Sequence, residues 1–181
     1  MVEKTQLDRA RSRAFEIAEA LHGRHINKDL RSKLCAACFA ISQQHHNSIL
    51  ILLSCNPPLQ ASAFALLRPL VESTIRGLWL CHVATDEAVE SYVHSGTKLD
   101  MASMLMAVGK AADIDAHGTI YQHWGALSAY THTGEKQVQR WLLTENIEPN
   151  YTESELAELV KLSGLVAEMC LQTVLSTLSV K

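Results

Sequence analysis

The sequence has no excess of positive charge, and this sets the first limit on its function. Its 16 lysines and arginines are outnumbered by 19 aspartates and glutamates, which gives a formal net charge of −3 at pH 7. Proteins that hold nucleic acids by the phosphate backbone usually carry a basic patch or stripe. We therefore expect no nucleic-acid partner for this chain, unless the contact is confined to one small region.

Long apolar runs and a cleavable leader are also missing. The longest apolar stretches, residues 48–55 and 61–67, are much shorter than the roughly 20 residues that a helix needs to cross a bilayer. The first residues, 1–13, are charged and contain neither the apolar core nor the cleavage site of a signal peptide. The sequence predicts a cytoplasmic protein with no membrane partner.

Motifs for metals, cofactors and acyl transfer are scarce. The odd number of cysteines, in a chain without a leader, predicts reduced thiols; they are Cys35, Cys38, Cys55, Cys81 and Cys170. The one Cys-x-x-Cys pair has no second half, and the nine histidines form no His-Glu-x-x-His or paired Glu-x-x-His motif. There is no glycine-rich phosphate loop and no Gly-x-Ser-x-Gly elbow. We expect no metal site and no cofactor.

The sequence does show helical periodicity from end to end. Apolar residues recur at spacings of three and four, and no segment alternates with period two between turn signals. The start and stop signals include Gly23 and a capping box at Thr152 to Glu155. We predict one all-α domain over residues 1–181, a single bundle of about five to seven helices.

These signals also predict where the individual helices begin and end. The first is predicted over residues 5–21, and Asn27 is expected to cap the second, with Asp29 in its first turn. The third restarts at Asn56-Pro57-Pro58, the fourth covers residues 86–112 and the fifth covers residues 118–131. Residues 135–143 are ambiguous between a helical turn and an extended piece.

Pro69 lies inside the predicted third helix. Proline removes a backbone donor and clashes with the carbonyl four residues earlier. We predict a kink or a change of helix at Pro69, and a kink would leave a carbonyl near Ala65 free to accept a hydrogen bond from another partner.

A polar stripe interrupts the same apolar helix. Arg68, Glu72 and Arg76 are spaced four residues apart, so that Glu72 can reach both arginines. Ionised groups in an apolar segment are costly to bury unless they pair with one another or with a ligand. We predict that the stripe points into the body of the protein. It would form either a structural network or a site for a small anion, since two guanidinium groups against one carboxylate suit a carboxylate or phosphate ligand.

A second stripe lies on the predicted fifth helix. Tyr121, Gly125, Ser128 and His132 fall on one face of it. Gly125 would let a backbone or a ligand come close, and His132 lies at the helix end, where the dipole favours a cation. The alternative interpretation of His132 is a hydrogen-bonded residue with only a structural role. We expect Tyr121, Ser128 and His132 to face Arg68 and Glu72 in one ligand-binding site.

The two stripes together carry a family resemblance. The segments 67–72, Leu-Arg-Pro-Leu-Val-Glu, and 127–134, Leu-Ser-Ala-Tyr-Thr-His-Thr-Gly, resemble those of a family of uncharacterised bacterial all-helical proteins. Members share an Arg-(Leu/Pro)-Leu-x-Glu helix and a later Leu-Ser-x-x-x-His segment. The resemblance implies that Arg68, Glu72, Ser128 and His132 belong to one site, and it brings no established activity.

A shorter pattern follows at the end of the third helix, where His82 lies six residues after Arg76. The pair resembles the Arg-x4–6-His motif of the HEPN superfamily, all-helical ribonucleases that need no metal. That resemblance implies an alternative function, a HEPN-like ribonuclease associated with defence or toxicity. Its catalytic pair would be Arg76 and His82, or else Arg68 and His132. HEPN members usually place a polar residue directly after the arginine, whereas this chain has Gly77.

Between the two functions, the sequence favours binding or interaction. Arg76 and His82 point about 120° apart around a helix, and no basic cluster surrounds them. The chain also has more apolar helix faces than one bundle of its length needs, at residues 49–53 and 171–178. We therefore expect a homo-oligomer, most simply a two-fold dimer.

Overall fold

The computed structural model describes residues 4–95, 100–112, 124–142 and 145–178. All regular structure in these ranges is helical, which confirms the all-α prediction. The helices are α1 Lys4–Leu21, α2 Leu30–Ser54, α3 Gln60–Ala65, α4 Leu67–His82, α5 Asp86–Ser95, α6 Met101–Ala112, α7 Trp124–Thr131, α8 Glu135–Gln139 and α9 Glu153–Thr173. A π-helical turn, Val174–Leu178, continues α9.

The chain divides into more helical segments than the five to seven predicted. The predicted third helix is split into α3 and α4, and the predicted fourth helix, residues 86–112, contains α5 and α6. Asp100 explains the second division, because its carboxylate accepts a hydrogen bond from the backbone N–H of Ser103 at 2.9 Å and so starts a new helix. Helix α8 lies in the segment 135–143, where the sequence pattern was ambiguous.

The helix caps follow the sequence signals with one correction. Asp29, rather than Asn27, caps α2, since its side chain accepts from the backbone N–H of Ser32 at 2.9 Å. Both residues are good N-caps, so residue type alone could not choose between them. The capping box that opens α9 is confirmed: Thr152 Oγ1 accepts from the Glu155 N–H at 3.2 Å, and the Glu155 carboxylate accepts from the Thr152 N–H at 2.9 Å.

Helices α2 and α4 form the centre of the bundle and approach closely at Gly77. A Cβ atom at this position would lie 2.5 Å from Cε1 of the buried Phe39 ring. Gly77 is thus needed for the ring to pack directly on the α4 backbone. Helix α9 packs against both central helices, and α1 packs against α9 and α2.

Hydroxyl and amide groups are also buried between the central helices, and they are hydrogen-bonded. Ser42 Oγ of α2 lies 2.7 Å from Thr74 Oγ1 of α4, which donates to the Leu70 carbonyl at 2.9 Å. Gln43 Nε2 donates to the carbonyl of Ala167 in α9 at 2.8 Å. Because unpaired polar groups are costly in a core, these bonds favour one register of α2 against α4 and α9.

Most of the apolar residues that motivated the dimer prediction lie inside the fold, but Ile51 of α2 is 59% exposed. Ile49 and Leu53 of α2 are buried, as are Leu171 and Leu178 at the end of α9. Leu171 packs in a small cluster with Ile17 of α1. The homodimer stays a prediction.

The last helical stretch, Glu153–Leu178, is apolar enough to span a membrane by length and composition. It has 26 residues, with a mean hydropathy of 1.3 over its most apolar window. Charged residues such as Glu158, Lys161 and Glu168 interrupt its apolar runs, so no single run in the sequence indicates a span. Half of that window is buried against the rest of the fold, and a core helix of a bundle satisfies the same criteria.

His46 is the exception among the buried polar groups. Its side chain is only 2% exposed, and within the described part of the chain its Nδ1 atom has no hydrogen-bond partner. Burial lowers the pKa of His46 from 6.5 to about 4, against a smaller opposing effect of the Glu168 carboxylate. The folded protein therefore keeps this imidazole neutral under conditions in which the unfolded chain protonates it.

We predict an acid-dependent loss of stability that depends on His46. Between pH 6.5 and pH 4 the unfolded state binds a proton that the folded state does not, so stability falls as the pH is lowered, by about 3 kcal/mol from this group. The measurement is urea unfolding of the wild type and of His46→Leu at several pH values. The wild type should lose more stability than the variant over this range, and parallel pH profiles would contradict the prediction.

Candidate functional site

The site begins at the break between α3 and α4. Pro69, the third residue of α4, cannot donate to the carbonyl of Ala65, the last residue of α3. The hydroxyl of Thr131 in α7 lies 3.0 Å from that carbonyl and 3.0 Å from the carbonyl of Leu127 in its own helix, so its one proton is shared between the two. A change of helix is confirmed, although it lies at Leu66, three residues before Pro69, and the contact of Thr131 with the Ala65 carbonyl brings the end of α7 to the start of α4.

Arg68 connects α4 with α7. Its Nε donates to Glu72 Oε1 at 2.8 Å, and its Nη1 donates to Ser128 Oγ at 2.8 Å and lies 3.1 Å from His132 Nε2. The guanidinium carbon also lies 5.1 Å from the centre of the Trp124 ring, within the range of a cation–π contact. The structure thus brings Arg68, Glu72, Ser128 and His132 together.

The direction of these hydrogen bonds limits the chemistry of the site. A guanidinium group can only donate, so in this contact His132 Nε2 can only accept. Ser128 accepts from Arg68 and gives its own proton to the Trp124 carbonyl at 2.8 Å. Since the serine proton does not point at the imidazole, this geometry holds an arginine in place rather than activating a serine nucleophile.

The polar stripe lies at the rim of the α4–α7 contact. Arg68 and Glu72 are mostly covered there and bond to each other, and Arg68 also bonds to α7, whereas Arg76 departs from the predicted inward orientation. The side chains of Arg68 and Glu72 are each 22% exposed, and that of Arg76 is 42% exposed. Arg76 Nη2 lies 3.6 Å from Glu72 Oε2, which is an ion pair without a hydrogen bond. The long side chains reach past the apolar helix face to solvent, as arginine often does.

Unused donors face solvent at this rim. Within the described ranges, neither Arg68 Nη2 nor any nitrogen of Arg76 has a hydrogen-bond acceptor. Glu72 supplies one negative charge against the two guanidinium groups, so the cluster carries an excess of one positive charge. These groups could hold an anion without rearrangement of the Arg68 network.

Gly125 contributes open space beside the site. Among the described residues, no heavy atom lies within 4 Å of the position that its Cβ would occupy. No described backbone approaches there, which leaves room for a ligand beside Gly125. Tyr121, the remaining residue of the predicted stripe, lies outside the described residues.

The turn after α7 fixes the position of His132. Thr133 has a φ of 53°, in the left-handed region, which costs a β-branched residue about 1–2 kcal/mol. The N–H of Gly134 then donates to the Ala129 carbonyl at 2.7 Å, and a Cβ at Gly134 would lie 2.9 Å from the Cα of Ala129. The glycine in the Thr-His-Thr-Gly segment is therefore a packing requirement of this turn.

The HEPN-like pair gains no support from the structure. Arg76 is paired with Glu72, whereas His82 is exposed near the end of α4, and no hydrogen bond or ion pair joins Arg76 to His82 within the described ranges. Gly77, where that family usually has a polar residue, lies against the Phe39 ring and has no room for one.

A second arginine, Arg140, links α7 to α9 and so helps to hold the helix that carries Ser128. Arg140, just after α8, donates to the Tyr130 hydroxyl at 3.2 Å and to the Glu155 carboxylate, and its guanidinium carbon lies 5.5 Å from the Tyr151 ring centre. Burial and the nearby Tyr130 raise the pKa of Tyr151 to about 12, so its hydroxyl stays protonated and donates to Gln137 Oε1 at 2.9 Å. Arg140 lies in a segment without clear periodicity, so no sequence signal pointed to it.

Comparison with known protein families gives a match that includes the residues of the site. A model of the protein family DUF6988, a family of unknown function, matches residues 39–180. The matched segment contains both polar stripes and begins inside α2, so it leaves out α1. No curated protein and no solved structure matches the chain.

Two glycine substitutions test the geometry around α7. We expect Gly134→Ala to destabilise the protein by about 1–3 kcal/mol, because the new Cβ meets backbone that cannot move aside. Gly125→Ala, on an exposed and open part of α7, should stabilise it by about 0.5–1 kcal/mol. Urea unfolding followed by tryptophan fluorescence measures both, and effects of the same sign would contradict the geometry.

A further prediction concerns RNA cleavage. Because Arg76 is engaged with Glu72 and is not bonded to His82, we expect the purified protein not to cleave single-stranded RNA in the presence of a metal chelator. His82→Ala should leave any trace activity unchanged. Metal-independent cleavage that disappears in both His82→Ala and Arg76→Ala, with unchanged circular dichroism, would show that the pair is catalytic.

Proposed function

Since the chain belongs to DUF6988, a family of unknown function, its membership assigns no activity, and we propose from the site itself that the protein binds a small anion. The ligand would be a carboxylate or a phosphate. It would lie at the rim between α4 and α7, against Arg68 and Arg76 and beside Ser128 and His132.

The observation that carries this proposal is that Arg68 and Arg76 have N–H donors without acceptors among the described residues. Arg68 keeps one free terminal nitrogen, Nη2, and Arg76 has no hydrogen-bond acceptor within the described ranges. Guanidinium groups bind carboxylate and phosphate oxygens through short charge-assisted hydrogen bonds, often two at a time. The excess positive charge would attract the ligand, and Glu72 sets the spacing of the two cations.

Preorganisation of Arg68 supports the same proposal. Ordering a long side chain on binding costs about 0.5–1.5 kcal/mol. Here Glu72, Ser128, His132 and the Trp124 ring already hold the guanidinium group in one orientation. A ligand would therefore meet Arg68 without this entropic cost.

Two costly features of α7 also favour a binding site over a purely structural network. Gly125 leaves open space at an exposed helical position, where alanine would be more stable. Thr133 holds a strained backbone conformation next to His132. Strain of this kind is often found at functional sites, where the geometry serves binding rather than stability.

The test is binding of inorganic phosphate and acetate, measured by calorimetry and by NMR shifts of the His132 ring. Arg76→Gln removes one cation and leaves the Arg68 network in place, so we expect at least tenfold weaker binding, equivalent to about 1.4 kcal/mol. Arg9→Gln, on the exposed face of α1, makes the same change in net charge far from the site and is the matched control.

The outcomes separate specific binding from general charge attraction. Weaker binding in Arg76→Gln with unchanged binding in Arg9→Gln would support the proposal. Equal effects of the two variants, or no binding of either anion at millimolar concentration, would contradict it.

A further inference from the structure

We propose that the ligand of the Arg68 site is a tetrahedral dianion, which is the chemistry of a phosphate group, and that His132 takes up a proton when this ligand binds. The inference rests on the proposed anion binding and goes beyond it. It chooses between the two ligand classes, and it makes His132 the residue that determines the choice.

The contact between Arg68 and His132 makes the site sensitive to a proton. Arg68 Nη1 lies 3.1 Å from His132 Nε2, and in this contact Nε2 can only accept. A proton on Nε2 would end the contact, while Nη1 would keep its bond to Ser128 Oγ at 2.8 Å. The imidazole ring would then be a cation with an N–H donor beside the guanidinium group. His132 therefore offers the site an acceptor when it is neutral and a donor when it is protonated.

The charge of the cluster determines which anion it matches. Glu72 pairs with both Arg68 and Arg76, so the cluster carries one excess positive charge while His132 is neutral and two when it is protonated. A monoanion such as a carboxylate balances the first state, and a dianion balances the second. A dianion also gains more than a monoanion from the added charge, so its binding favours the protonated form of His132.

The positions of the available donors favour a tetrahedral ligand over a planar one. Within the described ranges, Arg68 Nη2 and the nitrogens of Arg76 have no hydrogen-bond acceptor, and protonation adds the N–H of His132 Nε2 to them. These donors belong to three side chains, from α4 and from the end of α7. A carboxylate has two oxygens in one plane, which a single guanidinium fork satisfies. A phosphate group has oxygens that point out of any one plane and can accept from all three side chains.

The other charges around α7 do not replace the Arg68 cluster as the partner of His132. Helix α3 has no titratable side chain. Helix α8 carries Glu135 and Lys136, which have opposite charges, and the Glu135 carboxylate accepts from Gln139 Nε2 at 3.0 Å. Helix α9 faces the side of α7 that carries Tyr130, about 160° around the helix from His132. The charged residues that α9 places on that side are Glu155, Glu158 and Lys161.

The experiment measures binding of sulfate and of acetate by calorimetry, at about pH 5.5 and about pH 7.5 and at constant ionic strength. Sulfate is the probe because it stays a tetrahedral dianion over this range, so that a change in affinity comes from the protein. Acetate is the planar monoanion for comparison. We expect sulfate to bind about threefold to tenfold more tightly at the lower pH, and the affinity for acetate to change less.

A second measurement follows the His132 ring of the wild-type protein by NMR. Binding and protonation are linked, so each must favour the other to the same extent. Saturating sulfate should therefore move the midpoint of the His132 ring titration to higher pH, and acetate should move it less. This measurement does not depend on whether a variant folds.

Two variants assign the effect to His132. His132→Gln keeps a side chain that can accept from Arg68 but cannot be protonated in this pH range, so its affinity for sulfate should be the same at both pH values. His94→Gln removes an exposed histidine of α5, outside the site, and is the matched control that should keep the pH dependence of the wild type.

The outcomes distinguish this inference from the proposed function on which it rests. An affinity for sulfate that depends on pH in the wild type and in His94→Gln, but not in His132→Gln, would support the proposal. Equal affinity for sulfate at both pH values, an equal pH dependence for acetate, or an unmoved ring titration would overturn it and leave the anion site in place. If neither anion binds at either pH, both the inference and the proposed function are wrong.

Discussion

The carbonyl of Ala65 determines where α7 can lie. Pro69 removes the donor that would normally satisfy this partly buried carbonyl. The Thr131 hydroxyl of α7 supplies a replacement donor, which it shares with the Leu127 carbonyl of its own helix. Because Arg68 directly precedes Pro69, the same contact places Ser128 and His132 within reach of its guanidinium group. One missing N–H thus leads to the placement of a helix and to the assembly of the site.

The two sides of the site differ in rigidity. Helix α4 belongs to the centre of the bundle, where Gly77 packs under the Phe39 ring and Thr74 bonds to Ser42. Helix α7 has no fully buried residue among those described, and it is held at its edges by Thr131, by the Arg68 network and by Tyr130 against Arg140. Elements with few buried contacts open locally at low free-energy cost. Opening of α7 would therefore release Arg68 without unfolding α4.

The parts of this structure that the sequence predicted depend on local chemistry. Three of these predictions concern contacts within a turn or two of one helix. They are the loss of the hydrogen bond from Pro69 to the carbonyl four residues earlier, the pairing of Arg68 with Glu72, and the capping box of Thr152 and Glu155. The prediction failed where the outcome depends on distant packing. The apolar end of α9 is covered by Ile17 of α1, from the other end of the chain, and was taken for an interface. Arg140 bonds to partners on two other helices, and no spacing pattern reports such contacts.

The shared partners of Arg68 also have an evolutionary consequence. One guanidinium group serves Glu72, Ser128 and His132 together, so the effect of changing one of these residues depends on whether the others are present. Replacement of Arg68 would leave three polar side chains without their common donor, and lysine could not reach all of them in the same plane. The effect of a substitution at one of these positions therefore depends on the residues at the other three. Related proteins should keep the four residues together or lose them together.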